Sequence, residues 1–314
     1  KRNVGDSSIF GGLPSMSCSH FAVWGSRTKD RKLYSMRNLD WAPDTGANKY
    51  KSVTVFHPTD GIPHAAIGFF GMLGALTGMS AQGITVAESG NDVRQETFEG
   101  FPWVLRLRYI MENANTLDKA VGLWSATNNT LGMNHMIASS NDAKPNGKPA
   151  VALETMARYS ALFYENDPRE ANYMYTNKDG TKVHLGNPLP EAVWRTNHGY
   201  DPTIVAAEIA PTAPGHDSEV RYNIAHNSFA YYESAGIEMT HLEAINVTSI
   251  MADKGGMHFY KCEDKAEGIN IISVTFAPEA NAGTMYLAYE SGSGSTWRPG
   301  CCGWYIALDM SRWW

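Results

Sequence analysis

The sequence is poor in cysteine and lacks the short motifs that would assign a metal centre. Only four cysteines occur among 314 residues, and neither an HExxH motif nor a paired CxxC motif is present. The common zinc sites depend on such closely spaced ligands. The sequence therefore predicts neither a metal ion nor any other cofactor.

Basic clusters and long apolar runs are also missing. The net charge is -6 and lysine and arginine are scattered along the chain, which argues against nucleic acid as a partner. The longest apolar run, residues 65–79, has fifteen residues with four glycines, whereas a membrane span needs about 20 apolar residues. Nine tryptophans and fifteen tyrosines favour a folded body with aromatic packing over disorder. We expect a globular protein without a transmembrane segment.

The four cysteines leave two arrangements open. They are Cys18, Cys262, Cys301 and Cys302. If Cys18 is a working thiol, one disulfide remains, between Cys262 and either tail cysteine. The alternative is that all four are reduced and buried.

Two glycosylation sequons favour a secreted or lysosomal glycoprotein. Asn128 and Asn246 each begin an Asn-x-Thr sequence, the acceptor pattern of the secretory route. The chain begins with Lys1 and shows no signal peptide of its own. This is compatible with an upstream pro-segment that has been removed.

The pattern along the chain predicts one α+β domain behind a short leader. Residues 1–17 are rich in turn formers and lack periodicity, so we interpret them as a leader or the tail of a pro-segment and 18–314 as a single domain. A hairpin is predicted from residues 18–24 and 33–41, and a second one closes the domain at 269–276 and 284–289. Further strands are predicted at 52–56, 65–70, 83–88, 134–139 and 150–154.

Helices are predicted where capping signals precede apolar residues at helical spacing. Pro102 and Thr116 begin two of them. Residues 240–254 form a third, because Thr240 and Glu243 make a capping box. Strands at both ends with helices between them predict sheets that sequence-distant strands complete. The tail that contains Trp297 is interpreted as folding back onto the core.

Cys18 stands at the head of the first predicted strand, behind small, flexible residues. If the Ser17–Cys18 bond is cut, the α-amine of Cys18, with a pKa of about 7.7 to 8.0, becomes a base beside its own thiol. The thiol can cut the bond itself by attacking the Ser17 carbonyl and forming a thioester that water hydrolyses. The Cys-Gly-Ser-Cys-Trp context of papain-like enzymes is absent. His20 is close enough to Cys18 in sequence to suggest a Cys–His dyad. We interpret it instead as a strand histidine, because an N-terminal nucleophile already has its α-amine as a base.

Three further segments follow Cys18 in an informative order. Arg37-Asn38-Leu39-Asp40 places an arginine and an aspartate nineteen and twenty-two residues after Cys18, and Thr196-Asn197-His198 and Ser218-x-x-Arg221 come later. This order resembles the N-terminal-nucleophile (Ntn) hydrolases of the penicillin acyltransferase-like, peptidase C45 kind, relatives of the choloylglycine hydrolases and acid ceramidase. The resemblance spans roughly Cys18 to Tyr289. It implies an αββα sandwich, with two stacked, mainly antiparallel sheets between helical layers.

The resemblance also implies a catalytic set, namely Cys18, Arg37, Asp40, Asn197 and Arg221. Arg37 would lower the pKa of the thiol, Asp40 would accept a hydrogen bond from the new ammonium group, and Asn197 would donate to the oxyanion. Arg221 would pair with Asp40 or bind a polar part of the substrate.

Two points about this set stay open. Positions 37 and 40 face opposite sides of a regular strand, so both reach the site only past a bulge or a strand end. The second oxyanion donor is Asn91, Glu88 or a backbone N–H.

The predicted function is hydrolysis of a linear amide, or acyl transfer, through a thioester on Cys18. The substrate would be a small N-acyl amide. The alternative is a catalytically silent Ntn-fold protein that serves as a binding or assembly component. A carbohydrate-binding module would explain the tryptophans but not the ordered motifs. The sequence leaves the acyl specificity and the oligomeric state open.

Overall fold

The structure is a computed structural model that describes residues 17–41, 46–252 and 269–314. Cys262, residues 1–16 of the predicted leader and the last two residues of the predicted helix 240–254 lie outside these ranges. Of the tail cysteines, Cys302 is disulfide-bonded.

The structure contains the predicted strands and helices together with further elements that the hydrophobic pattern did not indicate, most of them between residues 159 and 234. The strands are β1 (Ser17–Val23), β2 (Tyr34–Asp40), β3 (Lys51–Phe56), β4 (His64–Phe69), β5 (Thr77–Ser80), β6 (Ile84–Gly90), β7 (Met133–Ser139), β8 (Ala150–Met156), β9 (Tyr159–Phe163), β10 (Met174–Thr176), β11 (Lys182–His184), β12 (Ala192–Arg195), β13 (Asn270–Glu279), β14 (Ala282–Tyr289) and β15 (Ile306–Asp309). The helices are α1 (Trp103–Asn113), α2 (Leu117–Ser125), α3 (Pro168–Ala171), α4 (Pro202–Ala207), α5 (Asp217–Ser234) and α6 (His241–Met251).

Sheet I has the strand order β12-β1-β2-β13-β14-β15 and holds the predicted hairpins. In the first hairpin, β1 pairs with β2 from Ser17 opposite Asp40 to Val23 opposite Tyr34. In the second, β13 pairs with both β2 and β14, so the two ends of the domain meet in the middle of one sheet. The tail adds β15 to the edge of β14, which confirms that it folds back onto the core.

Sheet II runs from β3 to β9 in sequence order, with each strand antiparallel to the next. Every residue of β1 and β2 in sheet I is buried, because one face of sheet I packs on sheet II and the other is covered by helices. Such burial on both faces explains why the two strands lack a clean alternation of polar and apolar residues.

Helices cover the outer face of each sheet. Leu107 and Ile110 of α1 and Trp124 of α2 pack on Val86 and Ile137 of sheet II. On the other side, α5 and α6 pack on sheet I; for example, the rings of Phe229 and Phe21 are 5.2 Å apart. The order of layers is helices, sheet I, sheet II, helices, which confirms the predicted α+β, αββα architecture.

Two helices illustrate what the local sequence determines. Helix α6 begins at the predicted capping box, in which Thr240 and Glu243 bind each other's backbone N–H groups. Helix α5 was not predicted. Its buried residues include Ser218, Glu219 and Arg221, so its buried side is partly polar and shows no clear apolar stripe.

Candidate active site

Cys18 lies in the centre of the sandwich, on the face of sheet I that packs against sheet II. It is fully buried, is not in a disulfide, and packs with Leu39, Ile272 and Ala65. Burial raises the pKa of its thiol to about 12, because a thiolate would lose its hydration, while the nearby Arg37 acts in the opposite direction. In the unbroken chain the thiol is therefore protonated.

Arg37 is the positive charge beside the sulfur. It lies opposite His20 and on the same face as Cys18, and its Nη2 is 3.5 Å from the Cys18 Sγ. The same nitrogen donates to Glu88 Oε1 of β6 in a fully buried ion pair. Burial raises the pKa of Glu88, and Arg37 opposes that rise. The guanidinium thus contacts both a carboxylate and the Cys18 thiol, and Glu88, a candidate oxyanion donor in the sequence, is the ionic partner of Arg37.

The main chain of Cys18 is bound by Asn197 and Arg221. The Cys18 N–H donates to Asn197 Oδ1 at 2.8 Å, and the Cys18 carbonyl accepts from Arg221 Nη1. Arg221 Nη2 also donates to Asn197 Oδ1, at 2.8 Å. Because a guanidinium only donates, the Asn197 atom that faces it must be the amide oxygen. The Asn197 Nδ2 then donates to the Gly90 carbonyl at 2.8 Å.

This geometry differs from the role expected for Asn197. The sequence suggests a donor to an oxyanion, whereas here the amide nitrogen is engaged by Gly90 and the oxygen faces the Cys18 nitrogen. Ser218 fixes the residue further, because its Oγ accepts the Asn197 N–H at 2.7 Å. In this arrangement Asn197 accepts a hydrogen bond from the Cys18 backbone nitrogen.

Arg37 and Asp40 lie on opposite faces of sheet I, as positions three apart in a strand must. Asp40 is the last residue of β2 and pairs with Ser17, so these two share the face that α5 and α6 cover. The Asp40 Oδ1 accepts a hydrogen bond from Asn270 Nδ2 at 2.6 Å. Cys18 is therefore contacted from both faces of the sheet. Arg37 contacts its thiol on one face, and Asp40 lies on the other face, from which Arg221 binds the main chain of Cys18.

Asp217 is part of the site and was missed in the sequence. It lies one turn before Arg221 in α5 and accepts two hydrogen bonds from it. Nε donates to Oδ1 at 3.2 Å and Nη2 donates to Oδ2 at 2.9 Å. Its Oδ2 also accepts the Ser17 hydroxyl at 2.9 Å. Although burial acts to raise it, the Arg221 guanidinium holds the pKa of Asp217 below its usual value. The Asp-x-x-x-Arg spacing, typical of helical ion pairs, is the sequence signal that could have identified it.

The remaining candidates occupy supporting positions. His20 has its Nε2 3.3 Å from the Ser89 Oγ, and burial lowers its pKa to about 3, so it is neutral. Asn91 directly follows Gly90, the acceptor of Asn197, and its Nδ2 lies 3.4 Å from the place that a Cβ on Gly199 would occupy. His20 is thus a strand histidine that binds Ser89, and Asn91 lies against the segment that carries Asn197.

Comparison with known families agrees with this architecture. Residues 26–292, most of the chain, match the model of the acyl-coenzyme A:6-aminopenicillanic acid acyl-transferase family. The chain belongs to this family. It is thus an Ntn hydrolase of the penicillin acyltransferase-like group, which confirms the resemblance found in the sequence. Cys18 itself precedes the matched region. No curated protein sequence matches the chain.

Solved structures with the same fold share little sequence with this family member. A mutant form of the conjugated bile acid hydrolase of Clostridium perfringens aligns with a TM-score of 0.56 at 14% identity over 93% of each chain. The Caenorhabditis elegans N-acylethanolamine-hydrolyzing acid amidase ortholog aligns with a TM-score of 0.50 at 11% identity, over 83% of this chain and 92% of the other. Penicillin V acylase from Agrobacterium tumefaciens aligns with a TM-score of 0.50 at 10% identity, over 87% and 83%. At these identities the likeness establishes the fold.

Two features of the structure concern the expected glycosylation sites and the expected lack of a transmembrane segment. Asn128 and Asn246, the sequon asparagines, are both at least partly accessible at the surface. In the parts of the chain that the structure describes, no helix combines the length and the apolar character that crossing a bilayer demands.

Proposed function

We propose that the chain is a cysteine Ntn hydrolase that cuts itself between Ser17 and Cys18 and then hydrolyses, or transfers the acyl group of, small N-acyl amides. Family membership supports amide hydrolysis or acyl transfer as the class of reaction. The observation that carries the finer proposal is that each reactive part of Cys18 has its own partner. The thiol has Arg37, the nitrogen has Asn197 and the carbonyl has Arg221.

Self-cleavage starts from the arrangement around the Ser17–Cys18 bond. The Cys18 Sγ attacks the Ser17 carbonyl carbon, the C–N bond breaks, and the Cys18 nitrogen takes up the thiol proton. Asn197 Oδ1 already accepts from this nitrogen and is placed to stabilise the ammonium group that forms. Water then hydrolyses the thioester and releases the Ser17 carboxylate together with the thiol. Residues 1–17 are on this account a leader, and 18–314 are the mature domain.

Turnover repeats this chemistry on an external amide. The free α-amine, with a pKa of about 8 before any shift, takes the proton of its own thiol. The thiolate attacks the amide carbonyl to form a thioester, and the ammonium group gives its proton to the leaving amine. Water, or a second amine, then takes the acyl group. Arg37 favours the thiolate and Asn197 accepts from the α-amine, while Arg221 holds Asn197 and the Cys18 carbonyl in place.

A small N-acyl amide is the substrate class that we propose. The structural neighbours are named for N-acylethanolamines, conjugated bile acids and penicillin V, and Cys18 lies in a largely apolar cluster of the core. These observations favour an acyl group without charge near its carbonyl.

The second candidate is a silent Ntn-fold protein with a binding or assembly role. It is favoured by one observation: Cys18 is fully buried, and this burial raises the pKa of its thiol to about 12. A chain that stays uncut never acquires the α-amine base.

Mass spectrometry of the purified protein under denaturing conditions separates the two candidates. We expect a fragment that begins at Cys18. When the native protein is treated with iodoacetamide before denaturation, this fragment should carry an alkyl group at Cys18, because cleavage frees both its thiol and its amine. An intact chain with unreactive Cys18 after prolonged incubation across the acidic and neutral range contradicts the enzyme and supports the silent protein.

We also propose that the protein follows the secretory route to a lysosomal or extracellular site. Surface access to both sequon asparagines, Asn128 and Asn246, supports this. Expression in a eukaryotic secretory host should give a mass that falls on treatment with an N-glycosidase. An unchanged mass after such expression contradicts the proposal.

A further inference from the structure

In the unbroken chain, Ser17 occupies the place of the acyl group. Its carbonyl is the one that Cys18 attacks in the proposed self-cleavage, so the first thioester carries the Ser17 residue on the Cys18 Sγ. A substrate acyl group is later bonded to the same sulfur through the same kind of carbonyl carbon. The Ser17 side chain lies on the α5/α6 face of sheet I and the thiol on the other face, and the Ser17 carbonyl carbon lies between them. Because a substrate carbonyl carbon takes the same place on the sulfur, we use the surroundings of the Ser17 side chain to infer those of the corresponding carbon of a substrate.

The Ser17 hydroxyl is bound by a carboxylate whose position is fixed. Ser17 is buried to all but 9% of its surface, and its Oγ donates to Asp217 Oδ2 at 2.9 Å. Asp217 is held by two hydrogen bonds from Arg221, and Arg221 in turn binds the Cys18 carbonyl and Asn197. The acceptor is thus tied to the nucleophile through one fully buried guanidinium.

Release of Ser17 leaves this acceptor without its hydroxyl donor. The Asp217 side chain is 18% exposed while Ser17 is in place, and release of Ser17 uncovers the oxygen that its hydroxyl bound. We propose that Asp217 selects acyl groups that carry a hydrogen-bond donor on the carbon β to the carbonyl, as 3-hydroxyacyl amides do. In Ser17 the hydroxyl is borne by this same β carbon. The inference rests on the proposed function and adds a preference within its substrate class, without altering the bonds made and broken.

The test compares two amides of one amine that differ only in this hydroxyl, such as 3-hydroxybutyryl and butyryl amides of a chromogenic amine. For the processed wild-type protein we expect a kcat/KM about tenfold higher for the hydroxylated amide, since a hydrogen bond to a charged group contributes at this level. In Asp217→Ala the ratio of the two values should fall to about one. In Asp217→Asn it should be intermediate, because the amide oxygen still accepts.

The ratio is the decisive measurement because Asp217 also holds Arg221. Its loss is expected to slow both substrates, and a merely structural role would slow them equally and leave the ratio unchanged. Asp118→Ala is the matched control, since Asp118 is an exposed first-turn aspartate of α2, and it should keep the wild-type ratio. If Asp217→Ala does not fold, the preference is tested by comparing the kcat/KM ratio of the two amides in the isosteric Asp217→Asn with the ratio in the wild type.

A second measurement needs no substrate. Ser17→Ala should slow self-cleavage several-fold, whereas Ser17→Thr, which keeps the hydroxyl, should cleave at nearly the wild-type rate. A processed protein that turns over both amides with a ratio of about one overturns the preference but leaves the proposed function intact. A chain that neither cleaves nor turns over either amide contradicts the proposed function itself.

Discussion

Replacing Cys18 with alanine is expected to leave the chain as one uncleaved polypeptide with no acyl turnover. In the proposed mechanism the Cys18 sulfur forms both kinds of thioester, the first with Ser17 and the later ones with substrate. Loss of a nucleophile that acts in concert with its base lowers turnover by at least about 10⁴-fold. Denaturing mass spectrometry follows the cleavage, and release of a chromogenic amine follows the turnover.

The variant should fold, which keeps this test clear. Cys18 is a small, fully buried side chain, and replacing it with alanine removes a single heavy atom from the core, at a cost of about 1 kcal/mol. Ser139→Ala is the matched control, because it likewise removes one heavy atom from a fully buried side chain and lies opposite Ile84, at the other end of β6 from Glu88. It should cleave and turn over like the wild type. Cleavage or turnover that persists in Cys18→Ala contradicts the mechanism.

Most of the fold follows from local signals in the sequence. The paired strands 18–24 and 33–41, the helix that begins at Thr240 and the closing hairpin all appear within a few residues of their predicted places. Each combines a periodic apolar pattern with a turn or a cap. Helix α5 was missed because part of its buried side is polar. Ser218 and Arg221 are satisfied by Asn197 and Cys18, which are distant in sequence.

The candidate site divides in the same way. The order of Cys18, Arg37, Asn197 and Arg221 along the chain was enough to select them, and the structure brings these four together. The residues that bind these four side chains and determine their charge and orientation could not be identified from the order of motifs along the chain. Glu88 meets Arg37 only because sheet II packs on sheet I.

Strand geometry resolves the remaining difficulty in the sequence. The alternation of side chains along a strand places Arg37 and Asp40 on opposite faces of the sheet. This spacing argues against a common site only if both side chains must reach the Cys18 thiol. In the structure the two faces have different contacts: the Cys18 thiol lies on the face of Arg37, and Arg221 binds the Cys18 carbonyl from the opposite face. In the proposed mechanism the base is the nitrogen of Cys18 itself, and partners on both sides of the sheet then hold the thiol and the main chain of this residue.

Arg37 and Glu88 should shift the reactivity of Cys18 in opposite directions once the chain is processed. Arg37 lowers the pKa of the thiol and Glu88 raises it. Arg37→Met should therefore raise that pKa, and Glu88→Gln should lower it. Below the thiol pKa the thiolate fraction changes tenfold per unit, so we expect alkylation of Cys18 at fixed pH to slow at least about tenfold in Arg37→Met and to quicken in Glu88→Gln. The rate of iodoacetamide labelling against pH measures both.

Stability provides an independent check on the same pair. Arg37→Met leaves Glu88 buried without its counter-charge, which costs about 3–5 kcal/mol in the free energy of unfolding, and Arg37→Met/Glu88→Gln should recover most of it. Burial already raises the pKa of Glu88, and without Arg37 it rises further. The folded state then binds a proton that the unfolded state has lost, so the stability of Arg37→Met falls as pH rises above the ordinary glutamate pKa. Urea unfolding at several pH values measures this slope, and the part of it that exceeds the wild-type slope should vanish in the double variant. Equal labelling rates in the two single variants, or a slope of the opposite sign, contradict the assignment of Arg37 as the charge that activates Cys18.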